Sequence, residues 1–212
     1  MRTLAVCASV VLAGACVSVA LAGKQTPAQR AVDRVVLRAA QIGPGTITRE
    51  IPQGREVDGV NTLDLCGQRF RSEKMRVARV QLSWIRNTGG GPFLSNEVVA
   101  YKPGGAAQAM RELRAAVKAC PKGFVKSTIP GAGMIKNQFD PIKGKDFVDN
   151  SLGLIDHITE KVGKKTLKFD SLLVYQVRGN VLSAVYGFGV VQLPLVVHSA
   201  GQSAKNLKKL RI

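Results

Sequence analysis

Apolar and polar positions along the chain alternate in two rhythms, one near 3.6 residues and one of two, and each predicts its own kind of element. Ala28, Ala31, Val32, Val35, Val36 and Ala39 recur at helical spacing, with Arg30, Asp33, Arg34 and Arg38 between them. Thr26-Pro27 reads as an N-cap followed by Pro at the first helical position, and Gly43-Pro44-Gly45 ends the predicted helix. A stretch with few periodic features then runs to about Asn61. Farther on the rhythm is two: Ala78, Val80, Leu82 and Trp84 share one strand face, and Arg79, Gln81 and Ser83 the other. Asn87 to Pro92, with three consecutive glycines, predicts a loop, and Leu94 to Tyr101 predicts the returning strand of a hairpin.

Pro103-Gly104 breaks that strand. Ala106, Ala109, Met110, Leu113, Ala116, Val117 and Cys120 then mark the inner stripe of a helix that Pro121 ends. Phe124 to Thr128 predicts a short strand. Ile129 to Asp146 contains Pro130, Gly131, Gly133, Pro141 and Gly144 and reads as loop. Leu152 to Val162 and Thr166 to Arg178 are strand patterns, and Gly179-Asn180 suits a two-residue hairpin turn into a strand over Val181 to Val191. Leu182, Ala184, Tyr186 and Phe188 fall on one face of that hairpin. Leu172, Val174, Val181 and Val185 fall on the other, which calls for a second layer or a pocket there. After Pro194 a last helix has Val196, Ala200, Ser203, Leu207 and Leu210 as its inner stripe. Strands and helices without regular βαβ alternation predict an α+β fold: an antiparallel twisted sheet with helices packed mainly on one face.

Composition adds the compartment. Of 212 residues, 45% are hydrophobic, too many for a disordered tail. Arg2 followed by the uncharged run Leu4–Leu21 and the Ala20-Leu21-Ala22 signature predicts a signal peptide over 1–22, cleaved between Ala22 and Gly23, with a single domain over 23–212. Ala13-Gly14-Ala15-Cys16 offers a rival, lipidation at Cys16, although it lacks the usual large aliphatic residue and polar tether. The chain thus reads as secreted or extracytoplasmic, in the cell envelope.

Two cysteines, Cys66 and Cys120, remain after the leader, 54 residues apart. In an exported chain such a pair reads as a disulfide, against the alternative of two buried thiols. No cofactor or metal pattern is present: there is no C-x-x-C and no H-E-x-x-H, and His157 and His198 have no ligand-like neighbour at short spacing. No G-x-S-x-G elbow occurs, so the chain reads as non-enzymatic, though its scattered acids leave a carboxylate pair open.

Charge is the clearest physical signal. The chain carries 31 Lys and Arg against 14 Asp and Glu, a net +17. Inside a cell this would point to nucleic acid. Export argues against a nucleic-acid partner and for anionic lipid or wall polymer instead. Lys205, Lys208, Lys209 and Arg211 crowd the end of the last helix and are the candidate anion contacts. Cations there also suit the helix dipole.

Four stretches carry a resemblance: Ala39-Ala40-Gln41-Ile42-Gly43-Pro44-Gly45, Leu63-Asp64-Leu65-Cys66-Gly67, Ser95-Asn96-Glu97-Val98-Val99-Ala100-Tyr101, and Val174-Tyr175-Gln176-Val177-Arg178-Gly179-Asn180-Val181-Leu182. With the helix that ends at Cys120-Pro121, they resemble the actinobacterial exported proteins related to the extracellular sensor domain of the receptor Ser/Thr kinase PknH. The resemblance implies a twisted antiparallel sheet backed by long helices, with a cleft proposed to bind an unidentified ligand; a small molecule or a lipid is the candidate partner. It departs in its disulfides, since relatives often carry two bridges. Two functions follow as expectations: a sensor-like ligand-binding domain, or an envelope-associated protein held by charge. A pocket beside Leu172 and Val174 would favour the first, and a flat basic surface the second.

Overall fold

A computed structural model describes residues 25–86, 93–128, 133–189 and 193–211. The leader, Cys16 and the Ala22–Gly23 junction lie outside the described residues, as do the triple-glycine loop and the end predicted for the last strand. Eight strands form one antiparallel sheet in the order β1-β2-β3-β8-β7-β6-β5-β4. The strands are β1 (Thr46–Glu50), β2 (Arg76–Arg86), β3 (Leu94–Tyr101), β4 (Val125–Lys126), β5 (Met134–Ile142), β6 (Ser151–Val162), β7 (Lys165–Arg178) and β8 (Val181–Phe188). The helices are α1 (Pro27–Val35), α2 (Ala39–Ile42), α3 (Gly105–Lys118) and α4 (Leu193–Lys208). The first three strands run outward-in to the centre. Helix α3 then carries the chain to the far edge, and β4 to β8 return strand by strand until β8 pairs with β3. None of the described helices is long and apolar enough to cross a membrane.

Period-2 alternation gives each central strand two buried faces. Val80, Leu82 and Trp84 of β2, Val98 of β3, Val174 of β7 and Val185 of β8 face α1, α2 and α4. Val99, Leu173, Tyr175, Leu182, Ala184 and Tyr186 face α3. Three helices therefore share one face. The Leu172/Val174 side, where a layer or a pocket was expected, is covered by the first of these: Gln176 donates to the Ala200 carbonyl of α4 at 2.8 Å, and Ser183 and Ser203 are hydrogen-bonded at 2.7 Å.

Three local expectations are corrected. The N-terminal helix does not run unbroken to Ile42. It stops at Val35, because the Leu37 amide donates to Asn96 Oδ1 at 2.9 Å, out of the helical ladder. Asn96, fully buried on β3, also donates to Ser183 Oγ at 2.9 Å and the Ala184 carbonyl at 2.8 Å. The featureless stretch contains β1, which the Trp84 indole anchors by donating to Thr48 Oγ1 at 3.1 Å. The Pro/Gly-rich stretch after Ile129 contains β5. Its entry uses Gly133 for a close approach, since a Cβ there would sit 2.0 Å from the Lys161 carbonyl oxygen. The predicted N-cap is present, with the Gln29 amide donating to Thr26 Oγ1 at 3.0 Å. The last helix begins at Leu193, so Pro194 lies in its first turn, where a missing N–H costs nothing.

Candidate functional site

Helix α3 covers only part of its sheet face. Beyond it, six strands and the β1–β2 connection enclose a cleft of about 390 Å³. Its floor carries Arg79 and Gln81 from β2, Glu97 from β3, Tyr186 and Phe188 from β8, and Ser171, Leu173 and Tyr175 from β7. Asp156, Ile158 and Glu160 of β6, with Ile135 and Asn137 of β5, form the far wall, and residues 60–64 form the rim. Volume and mixed lining fit a small-molecule site.

The rim is held from two sides. Cys66 and Cys120 are joined by a disulfide, with Cα atoms 5.4 Å apart, which ties the rim segment to the end of α3. Cys120 lies just past the helix rather than on its stripe. Asp64 accepts from Ser127 Oγ at 2.9 Å and Thr128 Oγ1 at 2.6 Å, and so clamps the rim to the β4–β5 region. Buried Arg76 donates to Thr62 Oγ1 at 2.7 Å and the Val60 carbonyl at 2.6 Å.

At the floor, Arg79 and Glu97 form an ion pair, each with a side chain 2% exposed. The Tyr186 hydroxyl donates to the other Glu97 oxygen at 3.1 Å. Burial raises the Glu97 carboxyl above its ordinary value, against the pull of Arg79. Tyr175 meets Tyr186 edge-on at 6.0 Å, and Tyr186 stacks near Phe188 at 6.4 Å.

Asp156 sits in the far wall, with Oδ2 accepting from Asn137 Nδ2 at 2.8 Å. Burial pushes its carboxyl up to about 7, and Asp64 and Asp170 push the same way, while Asn137 and His157 oppose them. Asp156 Oδ1 and Asn137 Oδ1 are buried without a partner. One signal for this site was present in the sequence: a carboxylate between Leu154 and Ile158 on the same strand face, as Glu97 is flanked by Val99.

The other sequence candidates lie elsewhere. His157 projects from the opposite face of β6, between Asp170 at 2.8 Å and Asp140 at 3.1 Å, so the sequence neighbours Asp156 and His157 do not act together. Those two aspartates raise the imidazole above its ordinary value. Among the described residues no His, Cys, Asp and Glu gather as a metal-binding group. His198 is exposed on α4. Lys205, Lys208, Lys209 and Arg211 are exposed at the end of α4, across the sheet from the cleft, and none is in an ion pair among the described residues. Other basic residues, Arg69, Arg71, Lys74 and Lys126, line a wider groove of about 990 Å³ beside the rim, together with Asp58 and Glu73.

No protein-family model matches the chain, and no curated protein matches it. Among solved structures, it is similar to the extracellular domain of PknH from Mycobacterium tuberculosis. Identity is 15% and the TM-score 0.57, over 89% of this chain and 100% of that one. At that identity the likeness is one of fold, an antiparallel sheet with helices of the α+β class.

Proposed function

We propose that this chain is an exported, non-enzymatic, sensor-like domain of the bacterial cell envelope that binds a small molecule or lipid in the Tyr186 cleft. The observation that carries the reading is the cleft itself: a recess of mixed lining over the sheet, with a buried carboxylate one of whose oxygens has no partner. Support for the compartment comes from the predicted leader, the disulfide and a fold shared with a domain described as extracellular. The acids of the cleft bond to amides, hydroxyls and a guanidinium, which is the arrangement of a binding site held in shape.

N-phenyl-1-naphthylamine, an uncharged apolar fluorophore, tests the cleft. Its emission should rise saturably on the native chain and stay low on Ile158→Trp, which places an indole into the recess from a half-buried position. No rise on the native chain, or an equal rise on both, would overturn the reading. Mass analysis of secreted material should find Gly23 as the first residue; a retained leader or a lipidated Cys16 would overturn cleavage after Ala22.

A further inference from the structure

The cleft inverts the charge of the chain. Against 31 Lys and Arg the sequence has only 14 Asp and Glu, yet the cleft lining includes four carboxylates, Asp64, Glu97, Asp156 and Glu160, and one cation, Arg79. Three of the four are committed to the protein. Asp64 holds Ser127 and Thr128, Glu97 holds Arg79 and Tyr186, and Glu160 accepts from the Gly133 amide at 3.0 Å.

Asp156 is different. It is 2% exposed, and Oδ1 has no partner although Oδ2 accepts from Asn137. Asn137 is 8% exposed and its own Oδ1 is equally unused. The β5–β6 register pairs Asn137 with Ile158 and Phe139 with Asp156, so the two side chains are diagonal neighbours on the cleft face. Once Asp156 is ionised these are two buried acceptors without donors in one recess, which is costly unless something supplies the donors.

We infer that the cleft takes a ligand with a protonated amine on an apolar body, the ammonium donating to Asp156 Oδ1 and Asn137 Oδ1 and the body lying against Ile158 and Phe169. This rests on the cleft being the binding site. An ammonium has three donors and no acceptor, matching a place that offers acceptors alone. A carboxylate or phosphate ligand would bring like charge beside Asp64, Asp156 and Glu160, and a hydroxyl would bring a single donor. Ile135, Ile158 and Phe169 give the body apolar contact, and Phe169 is 42% exposed, so the mouth is open on that side.

Three probes with one aromatic body separate the possibilities: phenethylamine, 2-phenylethanol and 3-phenylpropanoate, titrated at pH 8 into the isotope-labelled chain and followed by NMR. The amine should shift resonances of β5, β6 and β7 around the cleft and bind at least tenfold more tightly than the carboxylate, with the alcohol between them. Asp156→Asn, an isosteric change, should lower amine affinity to the level of the alcohol with a folded spectrum. Phe169→Ala should weaken all three probes together. Equal affinities for the three probes, or an amine affinity untouched by Asp156→Asn, would overturn the amine assignment and leave the cleft reading standing. Probes that leave the cleft resonances unmoved, or affinities unchanged by Phe169→Ala, would overturn the cleft reading as well.

Discussion

Asn137 donates its side-chain amide to Asp156 Oδ2 at 2.8 Å across the β5–β6 ladder, and the remaining oxygen of each side chain is buried without a partner. One strand thus orients a carboxylate on the next, and the pair faces the cleft. Hydrogen bonding to one oxygen fixes the carboxylate plane and leaves the other oxygen available.

Asp156 makes stability depend on pH in a direction opposite to that of a salt-bridged acid. Its carboxyl is raised from 3.8 to about 7, so between those values the folded chain binds the extra proton. Stability therefore falls as pH rises through that window, and the full penalty is present above it. Asp64, Glu97, Glu160, Asp170 and His157 are the charged groups around it. Asp156→Asn removes the ionisation. It should raise the unfolding free energy at pH 8, by up to about 4 kcal/mol at 1.36 kcal/mol per unit, and change it little at pH 4. Denaturant melts of both proteins at the two pH values check this, and a variant less stable at pH 8 contradicts it.

The Cys66–Cys120 bridge closes a 54-residue loop. Removing it, as the double change Cys66→Ser with Cys120→Ser, should cost about 2–5 kcal/mol in urea unfolding. Because the bridge ties down the cleft rim, N-phenyl-1-naphthylamine should also bind the reduced chain less tightly. Full alkylation of both thiols in folded, secreted protein would contradict the pairing.

Glu97→Gln should be among the most damaging single changes, costing about 3–5 kcal/mol, because it leaves the Arg79 guanidinium buried without its counter-charge. Replacing both, as Arg79→Met with Glu97→Leu, should recover much of that loss. Thermal melts of Arg79→Met alone, Glu97→Leu alone and the double variant form the cycle. A double variant as unstable as the sum of the singles would show that the pair is not coupled.

The basic end of α4 is open to solvent and across the sheet from the cleft, so its role can be tested separately. If it meets an anionic surface, each lysine contributes about 1 kcal/mol. Lys205→Gln, Lys208→Gln and Lys209→Gln together should then weaken binding to anionic liposomes by at least tenfold, with the thermal midpoint unchanged. Unaltered binding would leave the cluster as a solvated helix end, and a lowered midpoint would assign it to the helix terminus.

Long elements with a continuous buried face were the most legible in the sequence. The alternation in β2, β7 and β8 and the stripes of α3 and α4 are legible because each touches a core. Strand β1 is an edge with four exposed residues, and β5 sits among prolines and glycines that read as turns. The break after Val35 depends on Asn96, a partner 59 residues away that no local window contains. A second layer or a pocket was expected beside Leu172 and Val174; α4 supplies the layer there, and the recess opens on the other face, beside Leu173 and Tyr186. Alternation separates the two faces of a strand, but which face a helix covers depends on where the connections land. Asp156 and Glu97 read only as two of the scattered acids, because nothing local in the sequence joins them across the intervening strands.

Native mass spectrometry of the chain, recovered without denaturation from a secreting bacterial host, tests the central claim most directly. The native chain should carry a non-covalent small-molecule mass, released on activation, that is missing from Ile158→Trp prepared in parallel. A bare native chain, or the same adduct on both proteins, would contradict a ligand held in the Tyr186 cleft.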